Sequence, residues 1–107
     1  MPTTIPTLCG SFAAHPYSLA VKVHNAAYRA LGVDYTFVYF GVEHPRPVIE
    51  AMRSLGIRGL NVSMPFKSEV MAYLDEIESA AQKIGAVNTI SNMNSKLIGY
   101  NSLPDKF

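Results

Sequence analysis

Ser63, Lys67 and Asn88 are the residues whose types and spacing could do chemistry together in this chain. Ser63 follows Ile57-Arg58-Gly59-Leu60-Asn61-Val62, an apolar run that reads as a short buried strand. Pro65 suits a first helical position, because the N–H it lacks would have no partner there. A helix from Pro65 would carry Val70, Met71 and Leu74 on one face. Lys67 would then sit in its first turn, where the helix dipole opposes a cation by roughly a few tenths of a kcal/mol. Such a lysine is either solvated or serves an anion or a proton transfer. Asn88 interrupts the apolar run Gly85-Ala86-Val87-Asn88-Thr89-Ile90. An amide buried there without partners would cost about 1–3 kcal/mol, so either the local backbone satisfies it or it faces a cleft. A hydroxyl, an ammonium and a carboxamide gathered at the carboxyl ends of strands would suit a small polyhydroxy acid. His24-Asn25 is a second polar pair, turned either to a cleft or to solvent.

The elements that must position these groups alternate along the chain. Residues 7–12 read as a strand that runs into a loop at 13–17. Ser18 can cap a helix whose apolar residues Leu19, Val23, Ala26, Ala27, Ala30 and Leu31 recur at helical spacing, and Gly32 ends it. Residues 35–40, rich in aromatic and β-branched types, predict a strand. Pro45 or Pro47 opens a helix with Val48, Ile49, Met52 and Leu55 inward, closed by Gly56. Ser79 and Gln82 have the spacing of a capping box for a short helix to Ile84, which Gly85 stops. Residues 87–90 and 96–100 predict two strands joined by the turn Asn92-Met93-Asn94-Ser95. The expectation is an α/β, three-layer domain: a mostly parallel mixed sheet flanked by helices, with a C-terminal β-hairpin as its antiparallel edge.

Composition removes other classes of function. At 107 residues the chain has room for one domain and one core. A net charge of +1, without runs of like charge, gives no footprint for nucleic acid or an anionic membrane. No apolar stretch approaches the roughly 20 residues that span a bilayer. The first residues lack the basic-then-apolar pattern of a signal peptide, and the single cysteine, Cys9, implies no disulfide, so a cytoplasmic setting is expected. His15, His24 and His44 are not at metal-ligand spacing, and neither G-x-G-x-x-G nor a Walker motif is present.

Taken together, Gly59-Leu60-Asn61-Val62-Ser63-Met64-Pro65-Phe66-Lys67, then Ala80-Ala81 to Gly85-Ala86-Val87-Asn88-Thr89, then Gly99-Tyr100-Asn101-Ser102, resemble the substrate-binding N-terminal domain of shikimate dehydrogenases. The helix bearing His24-Asn25-Ala26-Ala27 fits as well, and Ser-Met-Pro-Phe-Lys leans toward the shikimate dehydrogenase-like subgroup. The similarity runs from about residue 8 to 102. The family reduces 3-dehydroshikimate to shikimate with NADPH, in aromatic amino acid biosynthesis. The resemblance makes Lys67 the catalytic lysine, puts Ser63 in place of a substrate-binding threonine and makes Asn88 the substrate-binding asparagine. Of two serines that take the substrate carboxylate, it keeps Ser18 and puts Ala20 at the other, leaving Tyr17 or Ser11 to complete the site. Leu103 stands where the family has the catalytic aspartate that partners the lysine, and Asp105 comes two residues late.

The resemblance therefore implies a domain at 1–102, a divergent tail at 103–107, and no NADP-binding Rossmann domain in this sequence. NADP would belong to a full-length parent, and no cofactor to this chain. The expected partner is a small molecule of the shikimate, 3-dehydroshikimate or quinate type, and the chain alone would not turn it over. Two further readings stay open. One is a stand-alone binding or homo-oligomerisation module that has lost catalysis; the other is a Schiff-base enzyme using Lys67.

Overall fold

The computed structural model describes residues 6–15 and 19–102. Its elements are β1 (Thr7–Ala13), α1 (Leu19–Leu31), β2 (Tyr35–Gly41), α2 (Arg46–Leu55), β3 (Gly59–Val62), a 3-10 helix (Glu69–Tyr73), β4 (Glu76–Ile77), α3 (Ser79–Ile84), β5 (Thr89–Met93) and β6 (Lys96–Tyr100). The α/β class and the mixed sheet are as the sequence predicts. All six strands join one sheet in the order β2-β1-β3-β5-β6-β4. β1 pairs parallel with β2 and β3, and β6 parallel with β4; β5 alone runs antiparallel, against both β3 and β6. The predicted hairpin thus forms inside the sheet and not at its edge. Outside it lies β4, whose two residues are too few to leave an alternating pattern in the sequence. The turn is also tighter than expected: β5 runs on to Met93, and Asn94 (φ 54°) and Ser95 (φ 70°) alone make the connection. Positive φ at both positions matches the twist of the strands it joins.

One face of the sheet holds the core. Phe12, Leu60, Val62, Ile90 and Leu97 pack there with Val48, Ile49 and Met52 of α2 and with Phe66, Val70, Ala81 and Val87. α2 is bounded by Pro45 before it and by Gly56 in the left-handed region after it, as the sequence suggests. Its inward stripe stops one residue short, because Leu55, at the last helical position, is 70% exposed. Gly10 in β1 is required by packing, since a Cβ there would strike the carbonyl oxygen of Val38.

The other face is where the sequence reading needs most correction. An apolar stripe at helical spacing ordinarily faces a core, yet α1 buries none of its residues. Leu19, Val23 and Leu31 are 65%, 57% and 74% exposed. The polar side turns inward instead. The His24 ring stacks on Phe37 at 4.0 Å with 12° between planes. The Asn25 amide donates to the Phe37 carbonyl (3.1 Å) and accepts from its N–H (2.8 Å). β2 is an edge strand, and a parallel strand sends both backbone groups of alternate residues to the same side. Asn25 therefore stands in for the missing neighbouring strand at Phe37, and the His24-Asn25 pair serves the sheet.

The expected α-helix from Pro65 is not formed. The Met64–Pro65 bond is cis, Phe66 N–H donates to the Ser63 carbonyl (3.1 Å), and only Glu69–Tyr73 winds, as a 3-10 helix. The predicted apolar face survives, since Val70 is buried and Met71 and Leu74 pack on the core. Lys67 lies ahead of the helix, so the dipole argument has no α-helix to act on. The capping box is also absent. Ser79 is already helical after Glu78, and Gln82 Nε2 donates to the Ile77 carbonyl (3.0 Å) instead.

Candidate functional site

Strand direction gathers the chemistry at one end of the sheet. β1, β2, β3 and β6 are parallel, so their carboxyl ends lie together, and antiparallel β5 brings its first residues to that same end. Asn88, just ahead of β5, thereby meets the exit of β3. Val62 N–H donates to the Asn88 carbonyl (2.9 Å), and Val87 N–H donates to the Lys67 carbonyl (2.7 Å). Two backbone hydrogen bonds thus hold the lysine turn against the asparagine turn. Ser63 N–H donates to the Phe12 carbonyl at the end of β1 (3.0 Å). The structure brings Ser63, Lys67 and Asn88 to one locality, and all three are partly buried.

The turn between Ser63 and Lys67 is fixed from beneath. Phe66 is 3% exposed and stacks on Phe12, with ring centroids 5.9 Å apart. Burying a phenylalanine contributes about 1.5–3 kcal/mol, enough to anchor a short loop. The Ser63 hydroxyl pairs with the Tyr39 hydroxyl at 3.1 Å. Lys67 forms no salt bridge with any described residue.

Asn88 has a structural task. Its Oδ1 accepts from the Ser102 N–H (2.9 Å) and from Thr89 Oγ1 (3.0 Å). Its Nδ2 donates to the Ser102 carbonyl (2.7 Å), with a longer contact of 3.4 Å to Asn101 Oδ1. Asn101 Nδ2 donates in turn to the Ala86 carbonyl (3.0 Å). The amide therefore positions the segment leaving β6 against Asn88, at the end of the sheet where a ligand would lie.

Register shows two residues that the sequence reading passed over. Tyr39, Ser11, Asn61, Thr89 and Tyr100 are mutual partners across β2, β1, β3, β5 and β6. Paired residues on neighbouring strands share a face, so these five polar side chains form one row at the site's end of the sheet. Asn61 is exposed although its strand is central. A lone amide between buried Leu60 and Val62 was the available signal for it. Tyr39 left none, because a tyrosine in an aromatic strand reads as packing. Ser18 and Tyr17, the candidates for a carboxylate, lie outside the described residues, as do Leu103 and Asp105. No cluster of three His, Cys, Asp or Glu side chains able to hold a metal occurs among the described residues. Hydroxyls, amides and one ammonium at a strand-end locality can bind a polyhydroxy acid and stabilise negative charge on an oxygen.

Comparison with known proteins identifies the family of the fold. The family model of the shikimate dehydrogenase substrate binding domain matches residues 9–90. The NADP(+) shikimate dehydrogenase of Methanocaldococcus jannaschii is 48% identical over 92 residues, covering 82% of this chain and 33% of that protein. The structure of a shikimate 5-dehydrogenase-like protein superposes with a TM-score of 0.86 at 40% identity, covering 94% of this chain and 38% of the other. Shikimate 5-dehydrogenase from Listeria monocytogenes, solved with shikimate and NAD, gives 0.83 at 38% identity over 89% of this chain and 34% of that one. The chain spans about a third of the length of the curated relatives it matches. With the family model spanning most of the chain and the fold shared with these structures, the chain belongs to the shikimate dehydrogenase substrate-binding domain family.

Proposed function

We propose that this chain is the substrate-binding part of a shikimate dehydrogenase-like oxidoreductase and takes a shikimate- or quinate-type hydroxy acid at the strand-end site. The observation that supports this reading is the double backbone stitch, Val62 to Asn88 and Val87 to Lys67, which holds the lysine turn against the asparagine turn at the exit of β3. Reducing a ketone by hydride leaves an oxyanion. The Lys67 ammonium would stabilise that charge and supply a proton, and the reverse reaction would return it. Ser63, held by Tyr39, and the exposed Asn61 would orient ring hydroxyls. Asn88 would contribute the N–H now at 3.4 Å from Asn101, the weakest of its contacts. Ser18 and Tyr17 are proposed for the carboxylate. When bound, NADP(H) would supply the hydride. The residues gathered here suit a polyhydroxy acid and not a dinucleotide, so we assign the cofactor to a longer parent and expect no turnover from these residues alone.

Titration of the isotope-labelled chain with shikimate, followed by backbone amide signals, tests this. Saturable shifts at Ser63, Lys67 and Asn88 that vanish in Lys67→Met support the proposal. Unchanged signals at millimolar shikimate and quinate would overturn it, leaving a binding module without this ligand class. The exposed apolar face of α1 is the one feature that favours that second reading.

A further inference from the structure

We propose that, within the hydroxy-acid reading of the strand-end site on which this rests, the Tyr39 and Ser63 hydroxyls act as one pair that recognises a vicinal diol. Tyr39 is then a specificity-determining residue. Neighbouring strands stand about 4.8 Å apart, so β2 and β3, on either side of β1, are separated by roughly 10 Å. The Tyr39 hydroxyl, 3.1 Å from Ser63 Oγ, has therefore crossed β1. Ser11, the β1 residue between Tyr39 and Asn61 in the polar row, is 5% exposed. Burial leaves its hydroxyl little access to a ligand, whereas Tyr39 and Ser63 are both partly exposed. The tyrosine thus brings to the site a second hydroxyl that the strand beside Ser63 does not offer.

Separation and chemistry select the ligand group. Gauche hydroxyls on adjacent ring carbons hold their oxygens about one hydrogen-bond length apart, roughly 2.8 Å. The Tyr39 and Ser63 oxygens stand 3.1 Å apart, so the two oxygens of a diol can lie edge to edge with the two of the protein. Each hydroxyl has one hydrogen and two lone pairs, so the bond between Tyr39 and Ser63 does not exhaust the pair. Hydrogen bonds passed around four hydroxyls polarise one another, and each strengthens the next. A lone ligand hydroxyl meets only half of the pair. A carboxylate can only accept, and the bond between Tyr39 and Ser63 has already used one of the two hydrogens that would have to be donated to it.

The probes are shikimate, which carries adjacent ring hydroxyls, and a cyclohexene carboxylate with a single ring hydroxyl. Each is titrated into the isotope-labelled 107-residue chain and followed by backbone amide signals. The parent chain should bind shikimate about fivefold more tightly than the single-hydroxyl acid, the worth of one hydrogen bond. Tyr39→Phe keeps the ring and removes the hydroxyl. It should weaken shikimate by about fivefold and leave the single-hydroxyl acid within about twofold. Ser63→Ala should weaken shikimate as well, and the double variant should lose little more than either single one, because the two hydroxyls act as a unit. Unchanged amide signals away from the site would show that Tyr39→Phe has kept its fold. Equal binding of the two acids by the parent, a result that needs no variant, would overturn the proposal. So would equal weakening of both acids in Tyr39→Phe, which would leave the pair a structural tie between β2 and the Ser63 turn, or shikimate binding unchanged in that variant. A parent chain that binds neither acid would instead sink the hydroxy-acid reading itself, and the diol pair with it.

Discussion

The side-chain amide of Asn88 takes both backbone groups of Ser102, accepting its N–H at 2.9 Å and donating to its carbonyl at 2.7 Å. One side chain thereby fixes where the chain leaves β6. Replacing Asn88 by alanine would leave both Ser102 groups and the Thr89 hydroxyl without this partner. Asn88→Ala should lower unfolding stability by about 1–3 kcal/mol. Denaturant melts of the chain measure the loss, and faster hydrogen exchange at Ser102 would locate it.

A second clamp responds to acid. Arg53 of α2 donates to Asp75 Oδ2 at 2.8 Å, and Leu97 N–H donates to the same oxygen at 2.7 Å. The Arg53 hydrogen bond is the larger cause, and with the Leu97 amide it holds the Asp75 carboxyl below its ordinary 3.8. A folded-state value below the unfolded one contributes stability above the ordinary range, and that stability is lost as pH falls through 3.8 and beyond. Thermal melts between neutral pH and pH 3 should fall more steeply for the parent chain than for Asp75→Asn. Parallel curves would remove Asp75 from the acid response.

Packing sets the third expectation. A Cβ at Gly10 meets the carbonyl oxygen of Val38, which belongs to a paired strand and cannot rotate away. Gly10→Ala should therefore destabilise by about 1–3 kcal/mol, measured by urea unfolding with an unchanged slope.

The hairpin turn offers a gain. Ser95 adopts φ 70° without being glycine, while its N–H donates to Asn92 Oδ1 at 2.9 Å. A left-handed residue with a Cβ costs roughly 1–2 kcal/mol. Ser95→Gly keeps the backbone bonds and removes that strain, offset in part by greater freedom of the unfolded chain. A rise in melting temperature is expected, for a gain of about 0.5–1 kcal/mol.

Cys9 should be slow to alkylate. Burial raises its thiol above the ordinary 9.0, outweighing the Gly59 hydrogen bond and the Arg58 charge. It lines a cavity of about 190 Å³ shared with His24, Tyr28 and Asn61. Iodoacetamide at pH 7 should modify it more slowly in the folded chain than in urea.

Legibility followed the range of the forces involved. Short-range signals were readable: aromatic and β-branched strands, the proline–glycine bracket of α2, and the apolar face of residues 70–74. The outward turn of the α1 stripe was not, because apolar spacing says which residues share a face and never which face meets the sheet. The demand of an edge strand for backbone partners turned Asn25 inward and the leucines outward. Tyr39 was missed for a related reason. Its hydroxyl acquires meaning only when parallel pairing across β1 places it 3.1 Å from Ser63.

By itself the sequence determined the α/β class and the strand and helix inventory apart from the two-residue β4 and the 3-10 helix that replaces the α-helix expected from Pro65, and it singled out Ser63, Lys67 and Asn88 as the candidate residues. These rest on local propensity and motif spacing, which are properties of neighbouring residues. Only the tertiary structure decided that β5 lies inside the sheet and pairs antiparallel with β3 as well as with β6, and that pairing is what carries Asn88 to the carboxyl end of β3. Strand order and direction are settled by contacts between segments distant in sequence, and no local pattern records them.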